Sequence, residues 1–259
     1  MAEGDAVHRN AVRIATALGD APLAGAAAPN PRSPLRLQAE RLRSLAGRRL
    51  ERAEAHGKHL FLRFEGGLTL HGHQGVSGTW HVFGHGAEGR RPLQGAWVVL
   101  TTATATAAEF GGSRLALRTE AELRADPRLR SLGPDLLAPE FTPERGVAAL
   151  RAAEPTRELG EALLDQRLIA GIGNVYKAEG CFGARVSPWR RLSELSDDEL
   201  GSVVAETVSL MRAGLAGERG QRAVYRRSGR HCPRCGGRIR SRGQGDSNRI
   251  TYWCPRCQR

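Results

Sequence analysis

Two cysteine pairs near the end of the chain constrain its fold more than any other feature. They read Cys232-Pro-Arg-Cys235 and Cys254-Pro-Arg-Cys257, with 18 residues between them. Two such pairs on separate turns can bring four thiolates around one zinc ion in tetrahedral geometry. We therefore predict a finger with one structural Zn²⁺. Because four protein ligands leave no open coordination position, catalysis must use other residues.

The segment between the pairs supports this prediction. Ile239 and residues 250–252 favour a short β-hairpin, and Gly or Pro beside each pair suits tight turns. The alternative is two disulfides, which a reducing cytoplasm disfavours. The fifth cysteine, Cys181, lies in an apolar segment and is expected in a hydrophobic core.

The charge of the chain indicates its partner. The 259 residues include 39 Lys and Arg against 27 Asp and Glu, giving a net charge of +12. Residues 219–259 hold twelve arginines and one acidic residue, Asp246. Such an excess attracts nucleic acid through counterion release, although a GC-rich genome also favours Arg. The sequence has no run of 18 apolar residues and no secretory signal, so we expect a cytoplasmic protein that does not bind membranes.

The first half of the chain predicts a β-sandwich with a helix at its start. Apolar residues at helical spacing favour a helix over 5–18, and the Ala- and Pro-rich stretch 21–34 reads as a loop. A second helix is expected over 35–46. Alternating or β-prone segments predict strands, the first two joined by a Gly66-Gly67 turn. These strands cover residues 60–65, 68–71, 97–102 and 114–118.

The second half is predicted to be helical up to Gly217. Ser196 and Glu199 form a capping box before a run of apolar residues at helical spacing. A basic connector, 218–230, leads into the finger. The fold class is therefore α+β, with a sandwich domain (1–131), a helical domain (132–217), and the connector with its finger (218–259).

Six segments together resemble the Fpg/Nei family of DNA glycosylases, in an actinobacterial type of sequence. They occur in the order of the family: MAEGD at the start, HGKHL at 56–60, RSLGPDLL at 130–137, LLDQRLIAGIGNVYKAE at 163–179, VYRRSG at 224–229 and RITYWCPRCQ at 249–258. The resemblance implies an N-terminal β-sandwich, a helix–two-turn–helix domain and a zinc finger, with damaged DNA bound in a cleft between domains.

The resemblance also implies how DNA phosphates are held. Asn174 begins a helix after Gly171 and Gly173, which permit a sharp turn and close backbone approach. It corresponds to a family residue that contacts phosphate. Arg249 corresponds to the arginine that clamps the phosphate beside the lesion, a role suited to a guanidinium. Lys58 corresponds to an active-site lysine that contacts phosphate and assists the lyase step; taken alone, it could be a solvated surface lysine.

At the amino terminus, family members place proline directly after the initiator methionine, and its amine attacks C1′ of the flipped nucleotide. This chain has Ala2, followed by Glu3, which corresponds to the catalytic acid of the family. Removal of Met1 is expected to expose a primary amine able to form a Schiff base. An alanine imine must be protonated to act as an electron sink, so weaker strand cleavage is expected.

Two further segments depart from the family pattern. The loop that fills the gap left by the flipped base reads HQGVSG at 73–78, in which Gln74 and Val76 are the largest candidates for that role. The connector from Gly217 to Tyr225 is shorter than usual, so less chain covers the extruded base. Both departures favour a bulky or crosslinked lesion, or DNA that is already open.

We therefore predict a DNA glycosylase of base excision repair with weakened AP-lyase activity. It is expected to act as a monomer near the bacterial nucleoid, with no small-molecule cofactor. The alternative is a silenced Fpg/Nei-like DNA-binding protein in which Ala2 has abolished catalysis. Retention of Glu3 and Lys58 argues against it, because a binding protein needs no catalytic carboxylate.

Overall fold

The computed structural model describes residues 3–75, 78–84, 92–218, 220–246 and 248–259. The chain divides into two compact units, Met1–Arg130 and Ser131–Arg259. We name them the sandwich unit and the helix–finger unit. The helical and finger segments, which the sequence predicts as separate domains, lie together in the second unit.

The sandwich unit begins with α1 (Gly4–Leu18), close to the predicted bounds of 5–18. Val7, Ile14 and Leu18 recur on one face and are buried, because helical spacing aligns them along one side. Gly19, in a conformation with positive φ, ends the helix and donates its N–H to the carbonyl of Ala15.

In the described part of this unit, eight antiparallel strands form two four-stranded sheets, in the orders β1-β6-β7-β5 and β2-β3-β4-β8. The strands are β1 (Gly25–Ala27), β2 (Leu50–His56), β3 (His59–Phe64), β4 (Leu68–His73), β5 (Thr79–Gly84), β6 (Val98–Thr101), β7 (Ala105–Phe110) and β8 (Arg114–Thr119). Alternate residues of both sheets, with the apolar face of α1, fill one shared core. The predicted β-sandwich is therefore confirmed.

The helix predicted over 35–46 is divided in two. A 3₁₀ helix (Pro34–Gln38) precedes α2 (Ala39–Arg43), and Gln38 between them leaves helical geometry. The Gln38 carboxamide instead bonds both main-chain groups of Leu117 on β8, at 2.9 and 3.0 Å. This contact, made to a residue 79 positions away, holds the side chain of Gln38 at the point where the backbone leaves helical geometry.

The sandwich unit ends with two short helices, α3 (Glu120–Ala125) and α4 (Pro127–Arg130). The helix–finger unit then contains α5 (Pro143–Arg151), α6 (Leu159–Ala162), α7 (Asn174–Gly183), a 3₁₀ helix (Leu192–Glu194) and α8 (Asp197–Ala216). The capping box of Ser196 and Glu199 starts α8 as predicted, and Gly217 ends it in a left-handed conformation. Cys181 is buried in the core of these helices, as expected.

The finger contains the expected hairpin, formed by β9 (Arg240–Gln244) and β10 (Arg249–Trp253). Its apolar side chains pack with Val224 and Tyr225 of the connector against α7, so the finger shares a core with the helical segment. Among the described parts of the chain, no helix combines the length and apolar character needed to cross a membrane.

Candidate active and DNA-binding sites

Glu3 lies at the entrance of α1, where its extended backbone forms the N-cap. Only 2 % of the residue is exposed, and its carboxylate does not cap the helix. Its main-chain carbonyl accepts from the N–H groups of Ala6 and Val7. A carboxylate at this point is favoured by the positive end of the helix dipole. Ala2 and Met1 lie outside the described residues.

Lys58 occupies the tight turn between β2 and β3, after Gly57 with φ of +56°. The ammonium of Lys58 lies near His73 at the end of β4, where its charge helps to lower the pKa of His73 after the larger effect of burial. His59 and His73 are cross-strand partners. The turn of Lys58 is therefore adjacent to the start of the 73–78 loop.

A row of histidines covers the outer face of this sheet. The Nδ1 atom of His59 lies 2.9 Å from Nε2 of His71, and the His59 ring contacts the ring of His73 edge-on. Burial, then the neighbouring histidines and Arg114, lowers the pKa of His59 to about 3. Burial and the charge of Arg118 lower the pKa of His71 to about 4. Both rings are thus neutral at pH 7 and add no cation beside Lys58.

The 73–78 loop is held on two sides. Its Gly75 N–H donates to Nδ1 of His73 (3.2 Å), which also lies 3.0 Å from the Ser113 hydroxyl. The Gln74 side chain is buried and accepts a hydrogen bond from Asn10 Nδ2 on α1 at 3.2 Å. Gln74 is therefore engaged with the helix that carries Glu3. Val76, the other candidate for filling the gap, lies outside the described residues.

A second buried carboxylate, Glu109, faces the sandwich interior near the end of β7. The residue is 1 % exposed, and its Oε2 has no hydrogen-bond partner among the residues that the structure describes. Gly112 leaves room for it, because a Cβ there would lie 2.0 Å from Glu109 Oε1. Burial raises the pKa of Glu109 to about 8, so it is mostly protonated at neutral pH.

In the helix–finger unit, a tight turn precedes α7. The Gln166 side chain holds this turn: its amide donates to the carbonyl of Ile172 at 3.0 Å, and its oxygen accepts from Gly171 N–H at 3.0 Å. Gly171 has φ of 107°, which favours glycine, and Gly173 is the N-cap of α7. The N-terminus of this ten-residue helix can favour an anion.

The structure brings Asn174 and the neighbourhood of Arg249 together. Asn174 is the first residue of α7, and its Nδ2 donates to the carbonyl of Ile250 at 2.7 Å. Its Oδ1 has no hydrogen-bond partner within the described ranges. Arg249, the residue before Ile250, is exposed at the start of β10. A cationic side chain and a helix N-terminus thus lie next to each other.

The four paired cysteines converge as the spacing predicts. The Sγ atoms of Cys232 and Cys257 are 3.8 Å apart, and those of Cys235 and Cys254 are 3.6 Å apart. All four lie within 4.8 Å of one another. Zn–S bonds of about 2.3 Å in a tetrahedron separate the sulfurs by about 3.8 Å, so this donor set fits zinc. The gaps are too long for disulfides.

The connector before the finger is anchored to α7. The Glu179 carboxylate accepts three main-chain N–H bonds of 2.8 to 3.0 Å, from Ala223, Val224 and Tyr225. The motif that ends in Glu179 and the motif that begins at Val224 therefore meet in space. This contact fixes where the connector leaves the helical segment.

Sequence reasoning missed three features of these sites. The alternation of His71 and His73 on a strand is a visible signal for the histidine row, since alternate residues share a face. Neither the Asn10–Gln74 bond nor the burial of Glu109 has a local signal, because each depends on residues far apart in the chain.

Taken together, the antiparallel sandwich, the tight turn before α7 and the four-cysteine finger define a modular protein of the glycosylase type. Two family models match: the formamidopyrimidine-DNA glycosylase N-terminal domain over residues 1–128, and the formamidopyrimidine-DNA glycosylase H2TH domain over 132–225.

Relatives along the full length of the chain agree. It is 43 % identical to a probable endonuclease 8 2 of Streptomyces coelicolor, covering 100 % of this chain and 94 % of the relative. It is 33 % identical to the DNA-(apurinic or apyrimidinic site) lyase Nei2 of Mycolicibacterium smegmatis, covering 100 % and 99 %. The chain therefore belongs to the Fpg/Nei family of DNA glycosylases, enzymes of base excision repair.

Solved structures confirm the fold. The Lactococcus lactis Fpg, in complex with DNA containing an abasic site, superimposes with a TM-score of 0.83 at 20 % identity, covering 100 % of both chains. The expected α+β architecture, with sandwich, H2TH segment and four-cysteine finger, is thus confirmed.

Proposed function

We propose that this chain binds damaged DNA as a monomer, excises the damaged base and cleaves the resulting abasic site weakly. The observation that carries the proposal is Glu3, a carboxylate buried at the entrance of α1 and one residue from the expected terminal amine. The names of the relatives support it, since they include an endonuclease 8 and an abasic-site lyase.

In the proposed reaction, loss of Met1 exposes the amine of Ala2. Its lone pair forms a bond to C1′ of the flipped nucleotide while Glu3 donates a proton to O4′ and the C1′–O4′ bond opens. The bond from C1′ to the base then breaks, and the base leaves with the bonding electrons. The attached nitrogen gives up its two protons, one to the departing base and one back to Glu3, which leaves an imine. The ordinary pKa of a terminal amine, about 7.7 to 8.0, leaves part of it neutral near pH 7.

Strand cleavage requires protonation of that imine, which then draws electrons from C2′ as a proton leaves and the 3′ phosphate departs. A primary amine gives an imine that can lose its positive charge, so this step is slow. Water activated by Glu3 is the competing nucleophile and gives base removal alone. Lys58 assists by holding a phosphate beside the reacting sugar.

The proposed DNA grip in the helix–finger unit uses Asn174, Arg249 and the turn of Gly171 and Gly173. Because the Asn174 amide already bonds Ile250, its helix N-terminus rather than its side chain is the proposed phosphate contact. Arg249 clamps the neighbouring phosphate. One Zn²⁺ on the four cysteines shapes the finger and takes no part in the chemistry. The functional segments are 1–131, 132–217 and 218–259.

The proposed substrate is a bulky or crosslinked lesion, or a damaged base in open DNA. Gln74, a candidate for filling the gap, is bonded to Asn10, and the loop offers Gly75 and Gly78 beside it. Such a loop fills the gap poorly, and we call it a weak plug. It disfavours duplex substrates most, since a flipped base leaves an unfilled gap in the stack.

Borohydride trapping on abasic-site DNA tests the nucleophile. We expect a weak covalent adduct with the native chain, a stronger one with Ala2→Pro, and release of base without an adduct where water attacks. Glu3→Gln should abolish base release. Full base excision by Glu3→Gln, with native zinc content, would refute the assignment of Glu3. The Schiff base would be refuted if the native chain, shown by its mass to have lost Met1, formed no adduct.

A panel of lesions tests the substrate. Each lesion is placed in duplex, single-stranded and crosslinked DNA, and base release is scored separately from strand nicking. Comparable excision from duplex and single strands supports the weak plug. Strict dependence on duplex DNA and on small oxidised pyrimidines contradicts it.

A further inference from the structure

Lys177 is a fully buried lysine within the motif that ends in Glu179, and the proposed chemistry does not use it. It lies on α7, three residues after Asn174, and none of it is exposed to solvent. Burial of an ammonium carries a desolvation penalty that only well-placed partners offset. The contacts of Lys177 therefore indicate what the charge does.

The Lys177 ammonium reaches across to the finger hairpin. Nζ donates to Thr251 Oγ1 at 2.5 Å and lies 3.4 Å from Gln244 Oε1. The Thr251 hydroxyl in turn lies 2.7 Å from Gln244 Oε1. One charged group thus bonds both strands of the hairpin, since Gln244 ends β9 and Thr251 lies on β10.

The network extends to two positions of the helical segment, the N-cap of α6 and the loop after α7. Gln244 Nε2 donates to Glu158 Oε2 at 2.9 Å and to the carbonyl of Pro188 at 2.8 Å. Gly160 leaves the space for this carboxamide, because a Cβ there would lie 2.3 Å from Gln244 Oε1. Gln244, Thr251 and Lys177 are all buried, so the hairpin is fixed by directional bonds rather than by apolar packing alone.

This network lies beside Arg249. Gln244 and Arg249 are cross-strand partners, and Thr251 follows Arg249 by two positions, so their side chains leave the same face of the hairpin. At the N-terminus of α7, Asn174 bonds the carbonyl of Ile250 on the same strand as Arg249. Helix α7 therefore holds β10 at two successive residues, both immediately after Arg249.

We propose that Lys177 is a positioning residue that holds the strand of Arg249 against the N-terminus of α7, so that both contact the same stretch of DNA backbone. The inference rests on the proposed phosphate contacts of Arg249 and Asn174. An apolar side chain of similar length would fill the space of Lys177 but would leave the hairpin free to shift. Stability alone does not require a buried ammonium here.

The test is Lys177→Met, which keeps the length and removes the charge. We expect native zinc content and melting temperature. Affinity for duplex DNA with a stable abasic-site analogue falls about tenfold, as one charge-assisted hydrogen bond is lost. The slope of log affinity against log salt becomes shallower by about one, since Arg249 loses its phosphate. The rate at saturating DNA changes by less than about twofold, so the loss is in binding.

A double-mutant cycle with Arg249→Ala decides whether Lys177 acts through Arg249. We expect Lys177→Met to weaken binding no further once Arg249 is gone. Gln258→Met is the matched control: Gln258 also ties the finger to the helical segment, through the carbonyl of Val186, but it contacts the finger at Cys254, after the end of β10, rather than at the residues beside Arg249. Any loss it causes should add to that of Arg249→Ala.

Thr251→Val provides a second variant, which keeps the lysine and removes its acceptor. It should show the same loss of DNA affinity, and it should weaken binding no further once Arg249 is gone. The role of Lys177 would be overturned if Lys177→Met bound DNA as tightly as the native chain while Arg249→Ala bound it more weakly. It would also be overturned if the losses of affinity in the two variants added. Native binding by Arg249→Ala would refute the proposed phosphate site, and this role with it. If Lys177→Met does not fold, Thr251→Val decides.

Discussion

One unit buries an acidic side chain and the other a basic side chain, and they do so in different ways. In the sandwich unit, Glu109 is buried with Oε2 unpartnered among the described residues, and its pKa is raised to about 8. In the helix–finger unit, Lys177 is equally buried but bonds Thr251 and lies close to Gln244. A carboxyl group can escape the desolvation penalty by taking up a proton at neutral pH. The lysine instead keeps partners on two strands, which makes it part of the architecture.

The comparison extends to what each unit depends on. The sandwich has one apolar core shared by two sheets and α1. The finger, as far as its residues are described, has two short strands and four cysteines that fit a zinc ion. Small modules of this size rarely bury enough apolar surface to fold without a metal or a disulfide. The two units should therefore respond differently to metal removal, to pH and to small steric changes.

Metal removal should give the largest effect. Cys254→Ser, or a strong chelator, should unfold the finger and abolish DNA binding, because structural zinc sites contribute about 10–16 kcal/mol of binding free energy. Hydrogen exchange of β3 and β4 in the sandwich should remain unchanged. Cys181→Ala is the matched control, since Cys181 is buried in the helical core and should not affect zinc content. DNA binding by a zinc-free Cys254→Ser protein would contradict the structural role.

The pH dependence of Glu109 should come next. Its folded-state pKa is about 8, against an ordinary value of 4.5. Between these values the folded protein holds a proton that the unfolded chain has released, so the free energy of unfolding decreases as pH rises through this window. By pH 8 the decrease amounts to about 4 kcal/mol.

Glu109→Gln should remove that dependence, because its amide stays neutral. Urea denaturation from pH 5 to pH 8 should show the variant gaining stability over the native chain as pH rises. Glu51→Gln, on an exposed residue of β2, is the control and should leave the curve unchanged. Parallel curves for Glu109→Gln and the native chain would mean that Glu109 is ionised throughout.

These contrasts separate what the sequence predicts from what it does not. The capping box of Ser196 and Glu199, the start of α7 at Asn174 and the convergence of the cysteines follow from residues close together in the chain. Local spacing suffices there, because each partner lies within a turn or a hairpin. Even so, the spacing alone leaves open disulfides, which the sulfur distances exclude.

The failures involve long-range partners. The helix predicted over 35–46 is interrupted at Gln38, whose carboxamide bonds Leu117 on a strand 79 residues later. In the sequence, Lys177 looks like any exposed lysine of a helix, and only its contacts with the folded finger show that it is buried. Residue roles at Glu3, Lys58 and Arg249 stay predictions: their places in the fold are known, but the DNA contacts are proposed.

Two glycines allow a steric version of the same comparison. A Cβ at Gly160 would meet the Gln244 carboxamide, whereas a Cβ at Gly112 would meet the Glu109 carboxyl. Gly160→Ala should destabilise the protein by about 1–3 kcal/mol, because Gln244 must leave several hydrogen bonds. Gly112→Ala should have a smaller effect, since one oxygen of the displaced Glu109 carboxyl group, Oε2, has no hydrogen-bond partner among the described residues.

Chemical denaturation measures both changes. Gly220→Ala is the control, because a Cβ at Gly220 meets no atom within 4 Å. Gly160→Ala should also weaken DNA binding, in the same direction as Lys177→Met, because both disturb the support of the hairpin. Equal destabilisation by the two glycine variants would contradict the view that bonding, rather than packing, distinguishes the two buried groups.

The smallest expected effect concerns Gln74. Its bond to Asn10 is a neutral, partly buried hydrogen bond, so Gln74→Ala should lower the free energy of unfolding by only about 1 kcal/mol. Because this carboxamide is already engaged with α1, its loss should change excision from duplex DNA by less than about threefold. Asn10→Ala removes the same bond from the helix side and should match it in stability. A selective collapse of duplex excision in Gln74→Ala alone would show that Gln74 leaves Asn10 to fill the gap when DNA binds, and the weak-plug argument for open substrates would then fail.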